Sequence, residues 1–120
     1  MPNDNNKIII VEGITDKHHI QKMLTERLTI LCTYGTFSIE YFDELLDTYH
    51  LFERDVYILV DEDASGLSLR RELSKELSDA HHIHVPEAYK EVAETPAHIL
   101  AAILVQHNFH IKPFYLQSRN

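Results

Sequence analysis

The 120-residue chain has one cysteine, no tryptophan, three glycines and four prolines, and its 11 basic residues are outnumbered by 19 acidic ones. Each scarcity excludes something. Cys32 has no partner for a disulfide framework, so a reducing compartment is expected, and with it a cytoplasmic location. A lone cysteine also cannot build a cysteine-rich zinc module. No apolar run approaches the ~20 residues of a membrane span, and no membrane association is expected. The polar start, Met1 to Asn6, lacks the charged-then-apolar order of a signal peptide. The formal net charge of −8 argues against broad electrostatic capture of a polyanion. Few glycines and prolines, no repeat and no low-complexity tract imply short connections between regular elements. With 44% hydrophobic and 25% charged residues, the composition is that of one ordinary globular domain over residues 1–120, its core expected within 7–107.

What is present is an alternation of short apolar runs and helical stripes. Lys7-Ile8-Ile9-Ile10-Val11 is β-branched without polar alternation, which suggests a strand covered on both faces. Ile20, Met23, Leu24 and Leu28 have helical spacing, so a helix is expected over 16–28, capped by Thr15 or Asp16. Thr29 to Cys32 reads as a second strand. A Ser38 cap precedes the stripe Ile39, Phe42, Leu45, Leu46 and Tyr49. Val56 to Val60 is the clearest strand, and Leu69, Leu73 and Leu77 mark the helix behind it. Ile83 to Val85 is a fourth strand. Thr95-Pro96 reads as a helix start, with Thr95 capping and Pro96 in the first turn, ahead of an apolar helix over 98–107. Residues 109–117 are a candidate extra edge strand. The order predicts an α/β fold of about four parallel strands with helices on both faces. Right-handed crossovers gather the strands' C-terminal ends at one edge, where ligands of such sheets bind.

Acidic residues stand at that edge. Glu12 follows the first strand, Asp61 follows the third, and Asp63 comes two residues later. If the two strands are neighbours they lie about 4.8 Å apart, and the three carboxylates share a small volume. Like charges that close require a counter-charge, and oxygen-only ligands favour Mg²⁺ or Mn²⁺ over zinc. Asp61 and Asp63 are then metal ligands, with Glu12 as a proton-transfer group or further ligand, an arrangement suited to phosphate chemistry. Gly13 and Gly66 suit close backbone approach beside the acids. Lys17 and Arg70, with Arg71, are placed to edge the site and hold a phosphate. A plainer account stands beside this one: acids after strands are common, and Asp63 has the position of a helix cap.

Val11-Glu12-Gly13-Ile14-Thr15-Asp16, followed later by Asp61-Glu62-Asp63-Ala64-Ser65-Gly66, resembles the two signatures of the Toprim domain. That module is shared by topoisomerases, bacterial primases, nucleases of the overcoming-lysogenization-defect type, recombination-repair proteins and a ribonuclease that matures 5S ribosomal RNA. Glu12, Asp61, Asp63 and Gly66 match its motif positions. Thr33-Tyr34-Gly35-Thr36 and, more weakly, Glu91-x-Ala93 resemble the stand-alone and ribonuclease branch, which adds Gly35 to the substrate-binding candidates. The resemblance implies a Rossmann-like fold and Mg²⁺-dependent phosphodiester chemistry on RNA or DNA, with Glu12 as acid/base and Asp61 and Asp63 on the metal. No tyrosine stands in the context of a topoisomerase nucleophile, and no appended recognition pattern is visible, so what is present looks like the bare catalytic module. Affinity would then come from a partner protein or an oligomer; the apolar final helix is a candidate homodimer surface.

Two readings from different classes follow: a small nuclease or ribonuclease, and a non-catalytic metal- or nucleic-acid-binding module that serves a larger partner. A small phosphate ester is a third substrate class. Nine histidines are present, three of them at 81, 82 and 84, where 82 and 84 would face one side; a transition-metal site there competes with ordinary solvent-facing or helix-end histidines. His18 and His19 lie close to the acidic site in sequence. Cys32 reads as core rather than nucleophile.

Overall fold

The computed structural model describes residues 6–34 and 38–117. Strands β1 (Lys7–Val11), β2 (Thr29–Cys32), β3 (Asp55–Leu59) and β4 (His81–Ile83) form one parallel sheet in the order β2-β1-β3-β4. Helices α1 (Ile14–Gln21), α2 (Ile39–Tyr49), α3 (Ala64–Glu76) and α4 (Ala97–Gln106) complete the expected alternation. Among the described residues no helix is long and apolar enough to cross a membrane.

The uninterrupted apolar character of β1 is explained by its place between two strands, with both faces covered. Ile9 and Val11 join Ile20, Met23, Leu59, Leu100 and Leu104 on the side of α1 and α4. Ile8 and Ile10 join Phe42, Leu45, Ile58, Leu69 and Leu73 on the side of α2 and α3. Alternate side chains of one strand thus feed two separate cores. Ser38 caps α2 as its position suggests, its side chain accepting the Tyr41 N–H at 3.3 Å.

Three expectations are corrected. The helix expected over 16–28 ends at Gln21, because the chain turns to meet the C-terminal segment. There Leu24 bridges Ile111 in antiparallel fashion and Lys112 N–H donates to the Met23 carbonyl at 2.8 Å. Met23 and Leu24 are buried through this turn rather than through a helical stripe. The edge strand expected at 109–117 is, correspondingly, that single bridge followed by a 3₁₀ turn at Pro113–Leu116. Finally, Thr95 does not cap α4: its hydroxyl donates to the Glu91 carbonyl at 2.9 Å, and the cap position is Pro96 itself. Smaller shifts of one or two residues affect β3, β4 and α4.

Because β2 leads away from β1 on one side and β3 on the other, strand order reverses between β1 and β3. Their register pairs Lys7 with Asp55 through Ile10 with Ile58, so the two strands end side by side at the C-terminal edge. This is the crevice in which an open α/β sheet binds ligands.

Candidate functional site

Glu12 leaves the end of β1 and Asp61 leaves the end of β3, and the adjacency of the strands brings them into direct contact. The Asp61 N–H donates to Glu12 Oε2 at 2.8 Å, which sets the Glu12 carboxyl against the backbone of Asp61. Asp61 Oδ1 accepts the Val92 N–H at 2.8 Å, which ties the acid to the loop before α4. Asp63 is the N-cap of α3, its Oδ1 accepting the Gly66 N–H at 2.7 Å. The plain cap reading of Asp63 is therefore correct as far as it goes. Its charge still reaches both Glu12 and Asp61.

The site contains a fourth acid. Asp16 is only 8% exposed and sits in the first turn of α1, where its Oδ2 accepts the N–H of Gly13, the helix N-cap, at 3.1 Å. The expectation that Thr15 or Asp16 caps this helix is corrected: the cap position is Gly13, and Asp16 at the third helical position closes back on it and turns toward the other acids, a placement signalled by its three-residue offset from Gly13. Burial raises the carboxyl of Glu12 above its usual range, and the charges of Asp61, Asp63 and Asp16 add to that, against the lowering effect of the Asp61 N–H. Burial likewise raises Asp61, with Asp63 and Glu62 contributing, against the Val92 N–H. Asp16 is raised by burial first and then by Asp61 and Glu91, with its Gly13 hydrogen bond and His19 opposing. Among the described residues, no ion pair joins a cation to Glu12, Asp16, Asp61 or Asp63. Among the described residues the acids thus stand together with no ion-paired counter-charge, His19 opposing the rise of Asp16 alone.

The donor set therefore fits a hard divalent cation by chemistry: carboxylate oxygens only, half-buried and uncompensated. It is not a closed ligand shell. Among the described residues, no three Asp, Glu, His or Cys side chains are already gathered tightly enough to hold an ion. The reason is visible in the hydrogen bonds, since Glu12, Asp61 and Asp63 each commit one oxygen to a backbone N–H.

Gly66 is required by the fold. A Cβ there would lie 2.0 Å from the carbonyl oxygen of Asp61, so the turn carrying both aspartates closes only over a bare backbone. Gly13 differs from expectation: a Cβ would meet nothing nearer than Asp16 Oδ2 at 4.0 Å, and close packing does not demand glycine there. Lys17 is half-buried on α1, near enough to Cys32 for its charge to act on that thiol. Gly35 lies outside the described residues. Cys32 is buried, and burial pushes its thiol up, as befits core.

Arg70 is corrected outright as a phosphate ligand. It is 8% exposed, and its guanidinium turns to β4, donating to the carbonyls of Ile58 at 3.3 Å and Ile83 at 2.9 Å. It also pairs with Glu62 Oε2 at 3.3 Å and donates to His82 Nδ1 at 2.9 Å. That bond leaves the His82 proton on Nε2, facing Ser74 Oγ at 3.3 Å, and burial with the Arg70 charge lowers the imidazole's pKa. His84 Nδ1 meets the same Glu62 oxygen at 2.9 Å, and the His82 and His84 rings face one side, 6.4 Å apart, as spacing suggested. A cation beside His82 opposes a transition metal there. Glu62, between the two aspartates, is thus an anchor pulling its turn toward β4. Replacing Glu62 by Gln is expected to lower stability at pH 7 by about 1.5 kcal/mol, measured by urea unfolding, since Arg70 loses its charged partner in a buried setting.

No family model matches the chain. An uncharacterized protein of Bacillus subtilis strain 168, YusF, is 44% identical over 114 residues, covering 95% of this chain and 77% of that protein. The solved structure of a small Toprim domain protein from Bacillus stearothermophilus superposes with a TM-score of 0.87 at 38% identity, covering 95% of each chain. With the sheet order, the acids at the β1 and β3 ends and this likeness in hand, the chain belongs to the small Toprim domain proteins.

Proposed function

We propose that this protein is a Mg²⁺- or Mn²⁺-dependent module acting on the phosphodiester backbone of nucleic acid, as a small nuclease or ribonuclease. The observation that carries the reading is the hydrogen bond from the Asp61 N–H to the Glu12 carboxyl, which holds the two acids at adjoining strand ends, with Asp63 and Asp16 nearby and no ion pair to any of them among the described residues. Acids gathered so closely need protons or a cation among them. Asp61 and Asp63 are the proposed metal ligands, with Glu12 as the third ligand or the proton carrier. A bound divalent ion would supply charge neutralisation and polarisation at a phosphoryl oxygen.

The chain's own residues supply the rest. Val92 and Gly66 N–H groups hold Asp61 and Asp63 in fixed orientations, so the site is oriented before any ligand arrives. Burial raises the carboxyl of Glu12 above its ordinary range, which moves it toward the proton-carrying form that transfer to a departing oxygen requires. Lys17 is the cation proposed to face the phosphate. The acidic surface supports a partner protein, an oligomer or a short substrate as the source of affinity. Thr33-Tyr34-Gly35-Thr36 supports the 5S-rRNA-maturing ribonuclease branch as the nearer model.

The experiment is metal-dependent cleavage of labelled RNA and DNA, with Asp61→Asn and Glu12→Gln as controls. Cleavage that needs Mg²⁺ or Mn²⁺ and disappears in both variants is the expected result. Cleavage that survives in both would contradict the assignment. Metal binding without cleavage would favour a non-catalytic module serving a larger partner, a reading the net charge of −8 supports.

A further inference from the structure

Next to the backbone of Glu12 stands an exposed aromatic residue in a conformation that bulky residues avoid. Tyr34 follows β2 by two residues and has φ 61°, in the left-handed region. It is held there by its backbone N–H, which donates to the Glu12 carbonyl at 2.5 Å, next to the Thr33 N–H bond to Val11 at 3.0 Å. The ladder between β1 and β2 therefore continues past the strands and places position 34 laterally beside Glu12. Tyr34 is 67% exposed. Tyr41 braces it on one side, with ring centroids 6.5 Å apart and planes tilted by 42°. Tyr41 is itself fixed, donating its hydroxyl to the Cys32 carbonyl at 2.9 Å. Glycine would take this backbone conformation without strain, yet the chain has a large exposed aromatic side chain at the position bonded to the backbone of Glu12.

We propose that Tyr34 is a stacking platform for an unpaired nucleobase next to the phosphate handled by Glu12, Asp61 and Asp63, which makes single-stranded nucleic acid the substrate class. This rests on the function proposed above and narrows it. An acidic protein cannot track a duplex backbone by charge, so a bound strand must be held by a metal-linked phosphate and by contacts that do not depend on charge. Base–aromatic stacking is such a contact, and it requires a base free of its partner strand. Lys17, half-buried in the helix that follows Glu12, is the cation proposed to meet the same phosphate. The ring reads no base edge, so the platform accepts any base and selects strandedness alone.

The test uses the full chain with Mn²⁺, a short single strand carrying 2-aminopurine, and a blunt duplex of the same sequence. The wild type and Tyr34→Phe are expected to quench the single strand's fluorescence on binding and to bind the duplex more weakly. Tyr34→Gly removes the ring and relieves the backbone, so it should fold at least as stably as the wild type. It should lose roughly 10- to 100-fold in single-strand affinity while its Mn²⁺ binding, followed by electron paramagnetic resonance, stays unchanged. Equal quenching and affinity in Tyr34→Gly would overturn the stacking role, as would equal binding of duplex and single strand, and either result leaves the metal site standing. A wild type that binds neither Mn²⁺ nor strand would overturn the proposed function and this inference together.

Discussion

Gly66→Ala is expected to cost more than about 3 kcal/mol of stability, read as a fall of at least ~10 °C in thermal midpoint. The new Cβ would sit 2.0 Å from the Asp61 carbonyl oxygen and 2.8 Å from its carbonyl carbon. Both are backbone atoms, and neither can rotate away as the end of a flexible side chain would. Opening the turn to admit the methyl would also break the cap bond from Gly66 N–H to Asp63. The same substitution should abolish metal binding, because the turn that must open carries both aspartates. A Gly66→Ala protein melting within about 1 kcal/mol of the wild type would show that the turn is looser than described.

Asp61→Asn is expected to act in two opposite directions. The proposed cleavage should fall by at least about 1000-fold, since the carboxylate proposed as a metal ligand is replaced by a neutral amide. Stability without metal should rise at neutral pH, by about 1 kcal/mol, or ~4 °C. The asparagine oxygen can still accept from Val92, and its amide can donate to the Glu12 carboxylate it now faces. The sign with pH follows from the raised carboxyl groups of Glu12, Asp16 and Asp61. Between the ordinary carboxylate range and their raised values, the folded chain holds more protons than the unfolded chain. Stability of the metal-free protein therefore falls as pH rises through that window, and the fall should be shallower in Asp61→Asn. Mg²⁺ should stabilise the wild type most above the window, where the acids are ionised, and should leave Asp61→Asn unchanged. Thermal melts from about pH 5 to pH 8, with and without Mg²⁺, check both signs. Its neighbour Glu62 makes the contrast clear: there the carboxylate has Arg70 as partner, and neutralising it costs stability.

The sheet was legible because its strands are short β-branched runs separated by helical stripes, and both faces of β1 are covered. The approach of Glu12 to Asp61 follows from the adjacency of β1 and β3 at the reversal of strand order. What escaped was set by contacts between distant segments. Met23 and Leu24 carry helical spacing, yet their backbone is claimed by residues 110–112. Arg70 stands one turn beyond Gly66, a sensible place for a phosphate ligand. Sequence does not show that the Ile58 and Ile83 carbonyls lie on the same side of α3 and draw the guanidinium inward. The Val92 N–H that orients Asp61 carries no side-chain signature at all, and only the fold discloses it.

The central claim is that acids from two neighbouring strand ends hold one hard cation. Crystals soaked in Mn²⁺ and measured for anomalous scattering test it most directly. The account predicts a peak about 2–2.3 Å from carboxylate oxygens of Asp61 and Asp63, with Glu12 beside it, absent in Asp61→Asn. A map with no peak at that corner, or with its strongest peak on the His82 and His84 imidazoles instead, would contradict it.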